Sequence, residues 1–177
     1  MGLRKKPESA LLFMAITYRA DQPRQWIDEQ ILKPFGTVWD KSEPFLFSYS
    51  DYYAPEMGAP LEKQFVIFQG LYPVENAVAT KLQALELEQQ FSREGRRTVN
   101  IDPGYLTLAK LVLTTTKNYD HRIHIGKGLY GDVQLRFRKG RFVFNPWTYP
   151  DYQDQKQLDF LYRAREYLHK LIKEHET

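Results

Sequence analysis

Ala10-Leu11-Leu12-Phe13-Met14-Ala15-Ile16-Thr17-Tyr18 is the stretch on which the fold turns. Its apolar side chains follow one another without the alternation of a strand that has one wet face, and the run is short for a helix. A strand buried on both faces is the reading. The seven residues from Ala10 to Ile16 fall far short of the ~20 that a membrane helix needs, and no small-residue cleavage site follows them. A soluble chain with no membrane contact is expected.

Working outward, residues 1 to 9 read as a polar, loosely ordered lead-in. After the strand, Pro23 is placed for a first helical turn, where its missing N–H has no partner to lose. Trp26, Ile27, Ile31 and Leu32 recur at helical spacing until Pro34 and Gly36, which predicts a helix over 23–33. Residues 37–49 are aromatic and β-branched but broken by Pro44, as two short strands or one edge strand are. Residues 50–60 read as a loop. Gln64-Phe65-Val66-Ile67-Phe68 repeats the buried-strand pattern. Pro73 opens a helix ending near Phe91, with Val74, Val78, Leu82 and Leu85 expected on the buried face and Glu86, Glu88 and Gln89 on the wet one. Thr98 to Ile101 reads as a short strand stopped by an Asp102-Pro103-Gly104 turn.

The resulting order, β-α-β-(β)-β-α-β, predicts an α+β fold whose antiparallel or mixed sheet contains a ferredoxin-like βαββαβ portion. Leu106 to Leu113 is densely apolar and fits a short helix or a strand, with the helix favoured. Strand patterns return over 122–125 and 132–138, and a turn at Lys139-Gly140 leads into Phe142-Val143-Phe144 as a C-terminal β-hairpin. A last helix, about 155–174, carries Leu158, Leu161, Leu168 and Ile172 on one face. No repeat or linker divides the chain, so 1–177 is read as one domain.

The 177 residues carry 25 Lys and Arg against 22 Asp and Glu, and no cysteine. That count excludes disulfide scaffolds, thiolate zinc sites and cysteine nucleophiles, and suits a reducing cytoplasm. A net charge of +3 is a weak field for nucleic acid. No P-loop is present: Ile125-Gly126-Lys127-Gly128 is followed by Leu129 rather than by Ser or Thr. The dinucleotide glycine fingerprint, the His-Glu-x-x-His helix and the Gly-x-Ser-x-Gly elbow are missing too. Phe65 to Phe68 matches only the end of an RNA-recognition strand motif, and core packing explains those residues better.

Three stretches hold polar and aromatic groups that periodicity leaves unexplained: Asp51 to Gly58, Asn100 to Tyr105, and Thr114 to Tyr130. From Lys117 to Arg141, seven cations face only Asp120 and Asp132, a local excess of +5. Arg136, Arg138, Lys139 and Arg141 read as solvation of an exposed hairpin. Lys117, His121, Arg122 and Lys127, with Asp102 and Tyr105, are the candidate ligand-binding residues, because Arg offers a bidentate fork and Lys a point charge to a phosphate or carboxylate. Asp51, Glu56 and Asp102 are candidate hard oxygen ligands for Mg²⁺. His121 and His124 would point to opposite sides of a strand and do not form a metal pair there. Phe144 to Tyr152 reads as a packed aromatic corner, with a ligand wall as the alternative.

Taken together, Asp51-Tyr52-Tyr53-x-x-Glu56-Met57-Gly58, Asn100-Ile101-Asp102-Pro103-Gly104-Tyr105, His121-Arg122-Ile123 with Gly128-Leu129-Tyr130, and Trp147 to Tyr152 resemble a prokaryotic domain-of-unknown-function family, number 4416. The resemblance covers nearly the whole chain. It brings no established activity; some members carry a GTP-binding label, for which no guanine-nucleotide motif is visible here. Three functions are expected from the residues, in this order: binding of a phosphorylated or carboxylated small molecule, a nucleotide among them; metal-dependent phosphoryl transfer or hydrolysis with His121 as general base; or an interaction module without a small ligand.

Overall fold

A computed structural model describes Leu3 and residues 6–49 and 53–175. Its centre is the strand β1, Ala10–Arg19, buried along nearly its whole length. The side chains of β1 alternate between two separate apolar layers. Leu11, Phe13 and Ala15 join Phe65, Ile67, Leu106 and Leu135, while Leu12, Met14, Ile16 and Tyr18 join Ile27, Ile31, Val66 and Ile101. Continuous apolarity in the sequence is therefore two half-patterns interleaved at the strand period.

Among the described residues, nine antiparallel strands form one sheet: β2 (Val38–Lys41), β3 (Phe45–Leu46), β4 (Leu61–Phe68), β5 (Val99–Thr107), β6 (Lys110–Thr115), β7 (Ile123–Gly126), β8 (Leu129–Arg138) and β9 (Arg141–Phe144) accompany β1. The main path runs β2-β4-β1-β5-β6-β8-β7, with β3 also on β4 and β9 also on β8. The first helical segment begins with α1, Arg24–Trp26, and continues through a π turn, Ile27–Leu32, and a 3₁₀ turn, Lys33–Phe35. A short α2, Ala54–Met57, lies within the expected loop. The helices α3, Ala77–Gln90, and α4, Gln155–His175, are long, and Ala84 of the first and Leu158, Leu161 and Leu168 of the second belong to opposite apolar layers. Helices thus cover both sheet faces, and Phe13, Phe65 and Phe68 are core residues, as expected. No described helix is long and apolar enough to cross a membrane.

Three local expectations are corrected. Asp102-Pro103-Gly104 is not a turn: β5 pairs with β1 without interruption from Val99↔Tyr18 to Thr107↔Ala10. Proline is tolerated because ladder pairing with β6 starts only at Gly104↔Leu113, so the missing Pro103 N–H breaks nothing. Residues 106–113 are not a helix either; they are the end of β5, a two-residue connection and the start of β6, with Leu106 opposite Leu111. Finally, α3 does not bury the aliphatic face expected from its sequence. Leu82 is exposed, and Ala77, Thr80, Lys81, Ala84 and Glu88 are buried.

Gly104 is fixed by a close approach rather than by backbone torsion. A Cβ there would lie 2.1 Å from the Val112 carbonyl oxygen on the paired strand. Gly104→Ala is expected to force the two central strands apart and to lower unfolding free energy by ~1–3 kcal/mol, the usual range for overpacking. Denaturant titration checks this, and an unchanged midpoint would contradict the account of the β5–β6 junction.

Candidate functional site

β5 and β6 share only three residue pairs and then separate. Upstream of Gly104, the edge of β5 that faces away from β1 has no partner strand, while β6 continues along β8 through Thr114↔Gly131 and Thr115↔Tyr130. A buried strand edge left in this state exposes N–H and C=O groups that must find other partners. Side chains from α3 supply them. Lys81 Nζ donates to the Ile101 carbonyl at 2.8 Å, and Glu88 Oε1 accepts from the Ile101 N–H at 2.6 Å. Two charged residues lie on the buried helix face because they stand in for a strand.

A cleft of about 540 Å³ opens where the strands part. Asp102 projects into it, its Oδ2 accepting from Asn100 Nδ2 at 2.8 Å and its Oδ1 lying 3.4 Å from Lys81 Nζ. On one side Lys63 of β4 bonds Asp151 at 2.6 Å, and its ammonium lies 5.1–5.9 Å from the ring centres of Phe47, Phe65 and Tyr152. On another, Arg97 holds Glu56 through two nitrogens, at 2.8 and 2.6 Å, and donates to Asn100 at 2.9 Å. Across the cleft Arg122 Nε donates to Asp132 at 2.7 Å, with its remaining nitrogens on the Lys117 carbonyl and the Tyr149 hydroxyl.

These pairs set the charges. Burial pushes the Asp102 carboxyl up, but the neighbouring Lys81 and Lys63 charges, with the hydrogen bonds from Asn100 and Lys81, outweigh it and hold the group below the usual carboxylate range. For Glu88 the balance is reversed: burial dominates the attraction of Lys81 and Arg97, and its carboxyl is pushed up. Burial likewise raises the Tyr149 hydroxyl against the pull of Arg122.

His121 stands at the rim, its ring parallel to Trp147 at 4.6 Å and to Tyr119 at 6.0 Å. Nε2 lies 3.6 Å from the buried Asp132 carboxylate, and Nδ1 lies 3.3 Å from fully exposed Asp120. Trp147 is fixed in turn by donating Nε1 to the Val133 carbonyl. The aromatic corner thus packs against β8 and also forms one wall of the cleft.

Of the residues expected from sequence, Asp102, Lys117, His121 and Arg122 line this one cleft. Arg122 is committed to protein partners, so its role is to lock the wall rather than to offer a free fork. Lys127 lies in an exposed turn at φ 53°, and Tyr105 points with Leu12 toward the opposite sheet face; neither lines the cleft. Glu56 serves Arg97, and Asp51 lies outside the described residues. Among the described residues no group of three or more His, Asp or Glu side chains is gathered as a metal centre requires. Sequence reading missed Lys63, Lys81, Glu88, Arg97 and Asp132, whereas Tyr149 and Asp151 belong to the aromatic corner for which a ligand wall is the alternative reading. One signal was present: Ala77, Lys81, Ala84 and Glu88 recur at intervals of four, three and four, a helix stripe of small and charged residues.

The family model described as a domain of unknown function (DUF4416) matches residues 8–167. The chain belongs to the DUF4416 family. No curated protein and no solved structure matches it.

Two variants separate the part Glu88 plays as an acceptor from its charge. Glu88→Ala leaves the buried Ile101 N–H without a partner and is expected to cost about 1–3 kcal/mol, whereas Glu88→Gln keeps an acceptor and is expected to be nearly neutral near pH 7. Because folding raises the Glu88 pKa, its proton stabilises the native state below the ordinary glutamate value, and that stabilisation is lost as pH rises through the folded pKa. Wild type minus Glu88→Gln stability, measured by denaturant titration from pH 4 upward, should therefore fall with pH. A flat or rising difference would contradict the assignment.

Proposed function

We propose that this protein binds a small molecule carrying a phosphate or carboxylate in the cleft between β5 and β6, a nucleotide being one such ligand. The observation that carries the reading is convergence: Asp102 and the segment carrying Lys117, His121 and Arg122 meet Lys63, Lys81 and Arg97, from other parts of the chain, in one concave site walled by aromatic rings. Scattered surface placement, which an interaction module without a ligand would favour, is not what these residues have. We read the protein as one cytoplasmic, prokaryotic domain, a reading supported by the lack of cysteine and by the family. The order β2-β4-β1-β5, with helices after β1 and β4, supports a ferredoxin-like portion, and the antiparallel pairing of β8 with β9 supports a C-terminal hairpin.

A second reading, hydrolysis or phosphoryl transfer with His121 as general base, draws on the position of Asp132. Asp120 lies 3.3 Å from Nδ1 and Asp132 3.6 Å from Nε2, so carboxylates flank both ring nitrogens of a histidine at the mouth of the cleft. It predicts slow release of nitrophenolate from p-nitrophenyl phosphate that His121→Gln abolishes; equal rates in both proteins would sink it.

The binding reading is tested by thermal shift against phosphorylated and carboxylated metabolites. A true ligand at a hundredfold its Kd is expected to raise the midpoint by roughly 5–10 °C for a chain of this size. Lys117→Ala should reduce that shift and Lys127→Ala, outside the cleft, should leave it unchanged. A panel with no shifts, or equal shifts in both variants, would refute the assignment.

A further inference from the structure

We infer that the cleft selects a planar-ring ligand bearing a single acidic group, an aromatic carboxylate or a nucleoside monophosphate, and discriminates against polyphosphates. This rests on the ligand-binding reading above and sharpens its substrate class. The first observation is charge balance. Lys63, Lys81, Arg97, Lys117 and Arg122 line the cleft, but so do Glu88, Asp102, Asp132 and Asp151. Lys63 lies 2.6 Å from Asp151, Lys81 3.4 Å from Asp102 and Arg122 2.7 Å from Asp132. Arg97 is matched by Glu56 and lies 3.6 Å from Glu88.

These acids cannot turn away from an incoming ligand. Asp132 and Asp151 have side chains only 1% and 2% exposed, each held by its cation, and Asp102 is pinned by Asn100. One anionic group can seat beside the ammonium protons that Lys63 and Lys81 do not spend on Asp151, Ile101 and Asp102, since each ammonium carries three donors. Additional phosphates on the same ligand would have to lie near fixed carboxylates, and like charges repel. A phosphate-cradling glycine loop, which would offer backbone N–H groups without matching acids, is absent from the sequence.

The second observation is the rim. Tyr49, Tyr119, Trp147 and Tyr149 are all exposed and all line the cleft. Trp147, His121 and Tyr119 form a near-parallel stack, with interplanar angles of 15° and 5°. Flat π surfaces at the mouth of a charged floor suit a ring that stacks outside while its acidic substituent reaches inward.

Calorimetric titration of the full chain in low salt tests this, with adenosine and guanosine, their 5′-monophosphates, their 5′-triphosphates with magnesium, inorganic tripolyphosphate and indole-3-acetate as probes. At least one monophosphate or the indole carboxylate is expected to bind, at least tenfold tighter than the parent nucleoside, the triphosphate and tripolyphosphate. Asp102→Asn, which removes one fixed negative charge without changing side-chain volume, is expected to shift the ratio about tenfold toward the triphosphate. Affinity that rises with the number of phosphates in the wild-type protein, or a ratio unmoved by Asp102→Asn, overturns the single-acid inference while leaving a ligand cleft in place. Failure of every probe to bind overturns the ligand reading and this inference with it.

Discussion

The two hydrogen bonds that α3 makes to Ile101 are the constraint from which the cleft follows. A strand in the middle of a sheet normally has both edges satisfied by neighbours, and β5 does so only from Gly104 onward. Had β6 stayed alongside, the Ile101 carbonyl and N–H would have bonded to backbone and no space would exist between the strands. Lys81 and Glu88 make the separation tolerable by meeting both groups at 2.8 and 2.6 Å. Side-chain partners carry charge where backbone partners do not. A gap bridged in this way therefore acquires a polar lining, and Lys81 and Asp102 are drawn together within it.

The same logic accounts for the order of burial around the site. An isolated ion taken out of water costs several kcal/mol, which opposite charge returns only with good geometry and further hydrogen bonds. Lys63 has a carboxylate and three aromatic rings, Arg122 has a carboxylate, a carbonyl and a hydroxyl, and Arg97 has a carboxylate and an amide oxygen. None of these cations needs a ligand to be satisfied. Their pairing preorganises the walls, so that a ligand meets side chains already fixed rather than chains it must order. Arg122 ties the segment before β7 to β8 and to the aromatic corner at once, which keeps His121 and Trp147 stacked.

Most elements were legible because apolar period decides them. The unbroken run of β1 announced a strand covered on both sides, and the Leu158, Leu161 and Leu168 spacing announced α4. What failed was local chemistry read without its neighbours. Asp-Pro-Gly has the composition of a turn, but propensity yields when a strand is paired along its full length on one side and lacks a partner on the other. The α3 face was misassigned for a related reason: hydrophobic spacing assumes that a helix packs on apolar side chains, and this one packs in part on a bare backbone edge. Leu82 is exposed and Glu88 buried because the surface under α3 offers hydrogen-bonding groups there.

The candidate site was half legible, and the missing half is instructive. The local excess of +5 between Lys117 and Arg141 located one wall, yet of its seven cations only Lys117 and Arg122 line the cleft. Linear charge counts treat a segment as though it faced one way, whereas Arg136 and Arg138 of β8, Arg141 of β9 and the turn residues Lys127 and Lys139 do not line the opening. The opposite wall comes from charged residues at buried positions: Lys63 in the strand β4 and Lys81 in α3. In both, a charge sits inside a pattern that otherwise excludes water. A charge at such a position has to be matched in three dimensions, and its partner, Asp151 or Asp102, lies far off in sequence. Buried charges that break a hydrophobic pattern are thus better pointers to this cleft than the basic run that draws the eye.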